Sequence, residues 1–149
     1  MLCPKCLHKK TRIYNSRFTR HNNQTWRRRT CDACSYSFTT RELIEADKLL
    51  SVVTRSDDRK PYSRSRIFLD VANACTHLQG PSECAQQLSE TVEARLLKVA
   101  KEGIIYSSEI ATVVMKVLRA FDVKAYLRYV SEYETIQDSR DLKNVLKNT

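Results

Sequence analysis

Glycine is nearly missing from this chain: 149 residues contain only Gly80 and Gly103. Phosphate-cradling loops of the P-loop and dinucleotide-binding types need several glycines at fixed spacing, so neither is present. No window approaches 18 uninterrupted apolar residues, which excludes a transmembrane helix. The first residues carry no apolar signal-peptide core, so the sequence predicts an unexported, cytoplasmic protein without a membrane partner. Acid is scarce in one segment. Residues 1–41 hold one acidic side chain, Asp32, against ten Lys and Arg, whereas residues 42–149 hold sixteen of each sign. The formal charge of +9 therefore sits wholly in the first segment.

That cationic segment also carries two Cys-x-x-Cys pairs, Cys3/Cys6 and Cys31/Cys34. A reducing compartment favours metal binding over disulfides for such pairs. One tight turn presents two sulfurs, and two such turns complete a zinc tetrahedron. The alternative is two buried or redox-active pairs, which lack the βαβ context of a thioredoxin-type motif. Four thiolates close the coordination sphere, so one structural Zn2+ per chain is expected, with metal binding and local folding coupled. His8 and His21 read as surface residues, and Cys75 and Cys84 as helix-core residues.

The organisation reads as α+β. Thr11–Tyr14, Thr25–Thr30 and Phe38–Thr40 are candidate strands, with Thr19–Gln24 as a turn. A core this small needs a staple. The composition changes near residue 45, after a mixed stretch at 42–50. Ser51–Arg55 fits a strand, Asp57-Asp58 a turn, and Pro61-Tyr62 another extended piece, which together make a short hairpin. Helical periodicity follows. Ser63 caps a helix to about His77, with Ile67, Val71 and Ala74 on one face. Gly80-Pro81-Ser82 starts the next, carrying Cys84, Leu88, Val92, Leu96 and Val99, with Gly103 as its stop. Ser107 or Ser108 caps a third through Ile110, Val113, Val114, Val117, Leu118 and Phe121. A fourth from about Val123 carries Tyr126, Leu127, Val130 and Tyr133, and a short one is expected through Leu142, Val145 and Leu146. The expected domains are residues 1–45, residues 46–137 and a tail at 138–149.

Arg27-Arg28-Arg29 directly precedes the second cysteine pair. On a strand, Arg27 and Arg29 share one face and Arg28 takes the other. With Arg12 and Arg17, and with Arg20 nearby, these side chains suit the phosphates and base edges of duplex DNA. A merely solvated basic face is the plainer reading, but so many like charges in so few residues repel one another without an anionic partner. Trp26 is expected in the small core of the ribbon rather than beside a base.

At this point a family resemblance enters. Cys3-Pro4-Lys5-Cys6, Asn15-Ser16-Arg17, Arg27 through Cys34 and Phe38-Thr39-Thr40-Arg41-Glu42 resemble the zinc ribbon of the NrdR family, bacterial repressors of ribonucleotide reductase operons. Val52 through Arg55, Arg59 through Tyr62 and Arg66 resemble the start of that family's ATP-cone domain. Ser108 through Leu118 and Asp122 through Tyr133 resemble its end. The resemblance implies a ribbon that binds double-stranded operator DNA and a cone that binds ATP or dATP. The nucleotide would change the homo-oligomeric state, and with it DNA affinity. It also implies nucleotide contacts at Val53, Arg55, Arg59, Lys60, Tyr62, Arg66, Tyr126 and Arg128. The chain departs from the pattern at Thr54, Asp57 and Lys60, where the family has Lys, Gly and Glu. Asp57 thereby brings a negative charge toward the expected phosphates.

Enzymatic function is not expected. The metal has no open position, no nucleophile–base arrangement stands out, and no acidic cluster is placed to hold magnesium. A non-catalytic adaptor is the second reading, with a ribbon that docks on a protein and a cone that only oligomerises.

Overall fold

The computed structural model describes residues 1–20 and 23–133. His21 and the expected tail at 138–149, with its helix through Leu142, Val145 and Leu146, lie outside them. The chain divides into two compact units, Met1–Glu45 and Ala46 onward.

The first unit is an antiparallel sheet of β1 (Thr11–Thr19), β2 (Gln24–Cys31) and β3 (Ser37–Glu42), with β2 central. A bulge at Tyr14 shifts the β1–β2 register between Ile13 and Asn15. Only Cys3, Gln24 and Cys31 are buried among the described residues of this unit. Trp26 departs from expectation. It stays 39% exposed although the Arg41 guanidinium covers its ring at 4.4 Å, because the described residues of this unit bury no apolar side chain besides the two cysteines for it to pack against.

The second unit begins with α1 (Ala46–Leu49) and a small mixed sheet. In that sheet β4 (Ser51–Val53) pairs antiparallel with β5 (Arg59–Pro61) and parallel with β6 (Ile104–Tyr106). Four helices supply the core: α2 (Arg64–Ala74), α3 (Pro81–Val99), α4 (Ser107–Phe121) and α5 (Val123–Tyr133). The 3.6-residue period buries Ile67 and Val71, Val92 and Leu96, Val114 and Leu118, and Val130 in one cluster. Val99 and Phe121 stay substantially exposed at the ends of their helices. Cys75 is buried in the same cluster and Cys84 is half-buried.

Local chemistry sets the helix ends. Ser63 Oγ accepts from the Arg66 N–H and caps α2. Ser107 and Ser108 are not caps; α4 starts after Tyr106, whose N–H donates to Glu109 Oε2 at 2.9 Å. Asp122 caps α5, its Oδ1 accepting from the Ala125 N–H at 2.7 Å and lying 2.9 Å from His77 Nε2. The Ala125 N–H, with help from His77, holds this carboxyl below the ordinary carboxylate range against the opposing effect of burial. Arg64 grips the buried Glu93 of α3 through two nitrogens and so ties α2 to α3. No described helix is long and apolar enough to cross a membrane.

Strand β6 owes its place to Gly103. The Ser51 N–H donates to the Gly103 carbonyl at 2.8 Å. Gly103 adopts φ +74°, and a Cβ there would meet the Leu49 carbonyl oxygen at 2.6 Å. Gly103→Ala combines left-handed strain with a backbone clash. Urea denaturation followed by circular dichroism is expected to show the second unit destabilised by about 1–3 kcal/mol.

Candidate metal centre, cationic face and cavity

The two Cys-x-x-Cys turns are built alike. In each, the first cysteine N–H donates to the carbonyl five residues on, Cys3 to His8 and Cys31 to Tyr36, both at 3.0 Å. Leu7 and Ser35, the residues after the second cysteines, donate back to Cys3 and Cys31 and take positive φ. These turns bring the four sulfurs within 4.8 Å of one another. Cys3 and Cys34 are separated by 3.7 Å and Cys6 and Cys31 by 3.6 Å. A zinc–sulfur bond near 2.3 Å gives a tetrahedral S···S edge of about 3.8 Å, so the cage fits zinc.

The thiol chemistry points the same way. Burial raises Cys3, but backbone hydrogen bonds at Cys6 and Lys5, together with the Cys34 and Cys6 sulfurs, pull it down to about 7. The backbone at His8 lowers Cys6, but the Cys34 sulfur, burial and the Cys31 and Cys3 sulfurs outweigh it and push Cys6 up to about 12. Clustered thiols resist ionising together unless a cation sits among them, and a bound metal deprotonates them outright. Zinc in this cage would be structural, because no position is left for water or substrate.

The two cysteine turns flank a sheet with two unlike faces. Directly paired residues share a face. One face carries Arg12, Asn15 and Arg17 of β1, Trp26, Arg28 and Thr30 of β2, and Ser37, Thr39 and Arg41 of β3. The opposite face carries Arg27 and Arg29, which the fold already uses: Arg27 pairs with Glu42 at 2.8 Å and Arg29 Nε donates to Thr40 Oγ1 at 3.2 Å. The candidate DNA set thus divides into Arg12, Arg17 and Arg28 against Arg27 and Arg29. Arg12 contacts Asp32 at 2.7 Å in a solvent-exposed pair, worth at most about 1 kcal/mol and readily exchanged for a phosphate. Sequence reasoning did not single out Arg41 for this face, although β3 alternation through Ser37 and Thr39 puts it there.

The second unit contains a cavity of about 520 Å³ between the mixed sheet, α2, α4 and α5, a size typical of small-ligand sites. Lys60, Tyr62 and Arg66 line it, as do Val52 and Thr54. Val53 and Arg59 do not, because they alternate with Val52 and Lys60 along their paired strands. Tyr126 packs in the core and Arg128 is exposed, neither lining the cavity. Arg55 lies 5.3 Å above the ring of Tyr133, a lining residue, and so stands at the margin. Tyr133 stacks on Tyr129, another lining residue, at 5.8 Å.

The remaining wall was not anticipated. Asp70 and Glu132 also line the cavity. Burial raises the Asp70 carboxyl, Arg66 opposes this, and Glu132 adds to the rise. Burial, then Asp70, pushes the Tyr129 hydroxyl up. Tyr62 is almost fully buried, and its hydroxyl finds no hydrogen-bond partner among the described residues. The sequence signal for Asp70 was its place one helical turn after Arg66; nothing local pointed to Glu132.

A four-cysteine cage beside a three-stranded sheet defines a zinc ribbon, and the chain continues into a helical unit with a mixed-charge cavity. Residues 1–42 match the family model for the N-terminal domain of NrdR-like transcriptional repressors, and residues 50–139 match that of the ATP cone domain. The chain is 33% identical over 146 residues to the transcriptional repressor NrdR of Roseiflexus sp. (strain RS-1), covering 98% of this chain and 95% of that one. It is 35% identical over 150 residues to the NrdR of Lactobacillus delbrueckii subsp. bulgaricus (strain ATCC BAA-365 / Lb-18), covering 99% and 94%. The chain belongs to the NrdR family of transcriptional repressors, a regulatory rather than a catalytic family.

Trp26 is the only tryptophan, and all the described helices lie in the second unit. Metal removal by a strong chelator is therefore expected to change tryptophan emission while far-ultraviolet helical dichroism persists. Simultaneous loss of both signals would show that the helical unit needs the metal too.

Proposed function

We propose that the ribbon binds duplex operator DNA through the face bearing Arg12, Arg17, Arg28 and Arg41, and that the cavity binds an adenine nucleotide. The nucleotide sets the oligomeric state, and assembly sets operator affinity. The resemblance to the NrdR family makes ribonucleotide reductase genes the target. The observation that carries this reading is the asymmetry of the sheet. Four arginines and Trp26 converge on one face, against two arginines, Arg27 and Arg29, on the other. Cations on a metal-fixed sheet are positioned for phosphates without a large ordering cost, and an arginine in a groove can read guanine.

Duplex binding is expected to weaken as salt rises, with a log–log slope near −0.9 per phosphate neutralised. In fluorescence anisotropy with duplexes selected from a random pool, Arg28→Ala is expected to lower affinity about tenfold and to reduce the slope magnitude by about 1. Arg27→Ala is expected to have the smaller effect. The opposite ranking would assign DNA to the other face. Unchanged duplex affinity in both variants, with loss of a protein partner, would favour an adaptor role.

Support for nucleotide binding comes from the match to the ATP cone domain and from a cavity that sets Lys60 and Arg66 beside stacked tyrosines. Cations suit phosphates and aromatic faces suit a purine. ATP or dATP is expected to change the mass of the purified protein in sedimentation velocity. A ligand shifts assembly only by differential affinity for the assembled forms, so an unchanged mass at saturating nucleotide would remove the assembly step.

A further inference from the structure

We infer that Asn15 is a base-reading residue of the ribbon and selects adenine through its major-groove edge. This rests on the DNA reading of the sheet. The bulge at Tyr14 is what brings Asn15 into position. Strict alternation along β1 would set Arg12 on one face and both Asn15 and Arg17 on the other. The extra residue reverses the alternation, so Arg12, Asn15 and Arg17 all share the face of Trp26 and Arg28. A bulge re-aims the side chains that follow it, and here it sets an uncharged amide among cations.

Asn15 occupies the middle of that face. It stands opposite Arg28, which in turn stands opposite Thr39. The row on one side begins with Arg12, and the row on the other holds Arg17, Trp26 and Arg41. An arginine serves a phosphate as readily as a guanine, a hydroxyl pairs with donors and acceptors alike, and an indole nitrogen only donates. Among the described residues of this face, the Asn15 amide alone holds a donor and an acceptor side by side. Adenine presents the complement in the major groove, an N7 acceptor beside an N6 amino donor, and no other base does. An asparagine beside a strand irregularity often ties its amide to nearby backbone. Asn15 does not: it is exposed, and its side chain makes no hydrogen bond to the described residues. Its neighbours supply the positioning. Directly opposed residues on one face have Cβ atoms about 5 Å apart, so phosphates gripped by Arg28, Arg12 and Arg17 would hold the amide over a base edge between them.

The test selects bound sites from a random duplex pool with the full-length, zinc-loaded protein and with its Asn15→Ala and Asn15→Asp variants. Zinc content and a thermal melt of each variant verify folding. The native sites are expected to contain a position where adenine is preferred at least about tenfold over the other bases. Asn15→Ala is expected to bring that preference close to one while leaving the salt slope unchanged, because no charge is removed. Asn15→Asp is also expected to abolish it, because a carboxylate has no donor for adenine N7. Fluorescence anisotropy then compares adenine with 7-deazaadenine at that position. Loss of N7 is expected to weaken the native complex about tenfold and to leave the Asn15→Ala complex unchanged. Equal weakening of both complexes overturns the inference. So does a uniform loss of affinity across sequences in Asn15→Ala, which would assign the amide to the DNA backbone. Relaxed preference at a position that favours a base other than adenine, or no relaxed position at all, overturns it while leaving duplex binding in place. Failure of the native chain to bind any duplex removes the DNA reading itself, and this inference with it.

Discussion

The ribbon depends on a metal cage because it has almost nothing else. Its unit buries two cysteines and a glutamine among the described residues and no aliphatic or aromatic side chain. Hydrophobic burial at about 25 cal/mol per Å² therefore contributes little to holding residues 1–45 together. The sulfurs converge to near tetrahedral spacing, and closing two distant turns on one ion replaces the missing core. A unit without an apolar core is free to spend both sheet faces on polar and charged residues. That freedom lets a 45-residue piece, with ten Lys and Arg against three acids, carry +7 of the chain's formal charge of +9.

The same constraint explains what could be read from the sequence. Cysteine spacing announced the cage, because metal geometry is local to each turn. Strand alternation announced that Arg28 and its neighbours part company, and the pairing register agrees. The helical periods of α2 and α4 announced their buried residues. Trp26 was misread because a lone tryptophan in a small unit ordinarily fills a core, and here there is no core to fill. Strand β6 was missed because three residues between helices carry no period; its place comes from Gly103 and a parallel pairing with β4 some fifty residues earlier. The cavity was half legible. Lys60, Tyr62 and Arg66 came from a resemblance, whereas Asp70 and Glu132 are brought together only by packing α2 against α5.

The cavity wall shows how substitutions at one site change the meaning of others. Lys60 stands where the resembled family carries an acid, and it lines the cavity. Asp70 and Glu132 add acid elsewhere in the same wall. The cavity thus keeps both signs of charge but arranges them in its own way, with cations near the mixed sheet and at the start of α2, and carboxylates one turn farther along α2 and on α5. Arg64 and Glu93 pair between α2 and α3 and are not among the lining residues. Lys60 and Arg66 are the cations of the lining.

On the proposed function, charge and ligand chemistry are divided between the two units, and that division would limit how one governs the other. A metal-clamped sheet has few conformations to select among, so a nucleotide held elsewhere gains little by reshaping it. The number of ribbons presented at once is a more effective variable. Joining a second modest DNA contact in one assembly raises avidity by orders of magnitude with no new contact within either ribbon. Such a coupling would also be reciprocal: whatever assembly a nucleotide favoured, DNA favouring the same assembly would tighten the nucleotide by the same factor. On the proposed function, a highly charged reader and a ligand-sensitive assembler would form a switch whose gain lies in copy number, with electrostatics governing one half and ligand-dependent assembly the other.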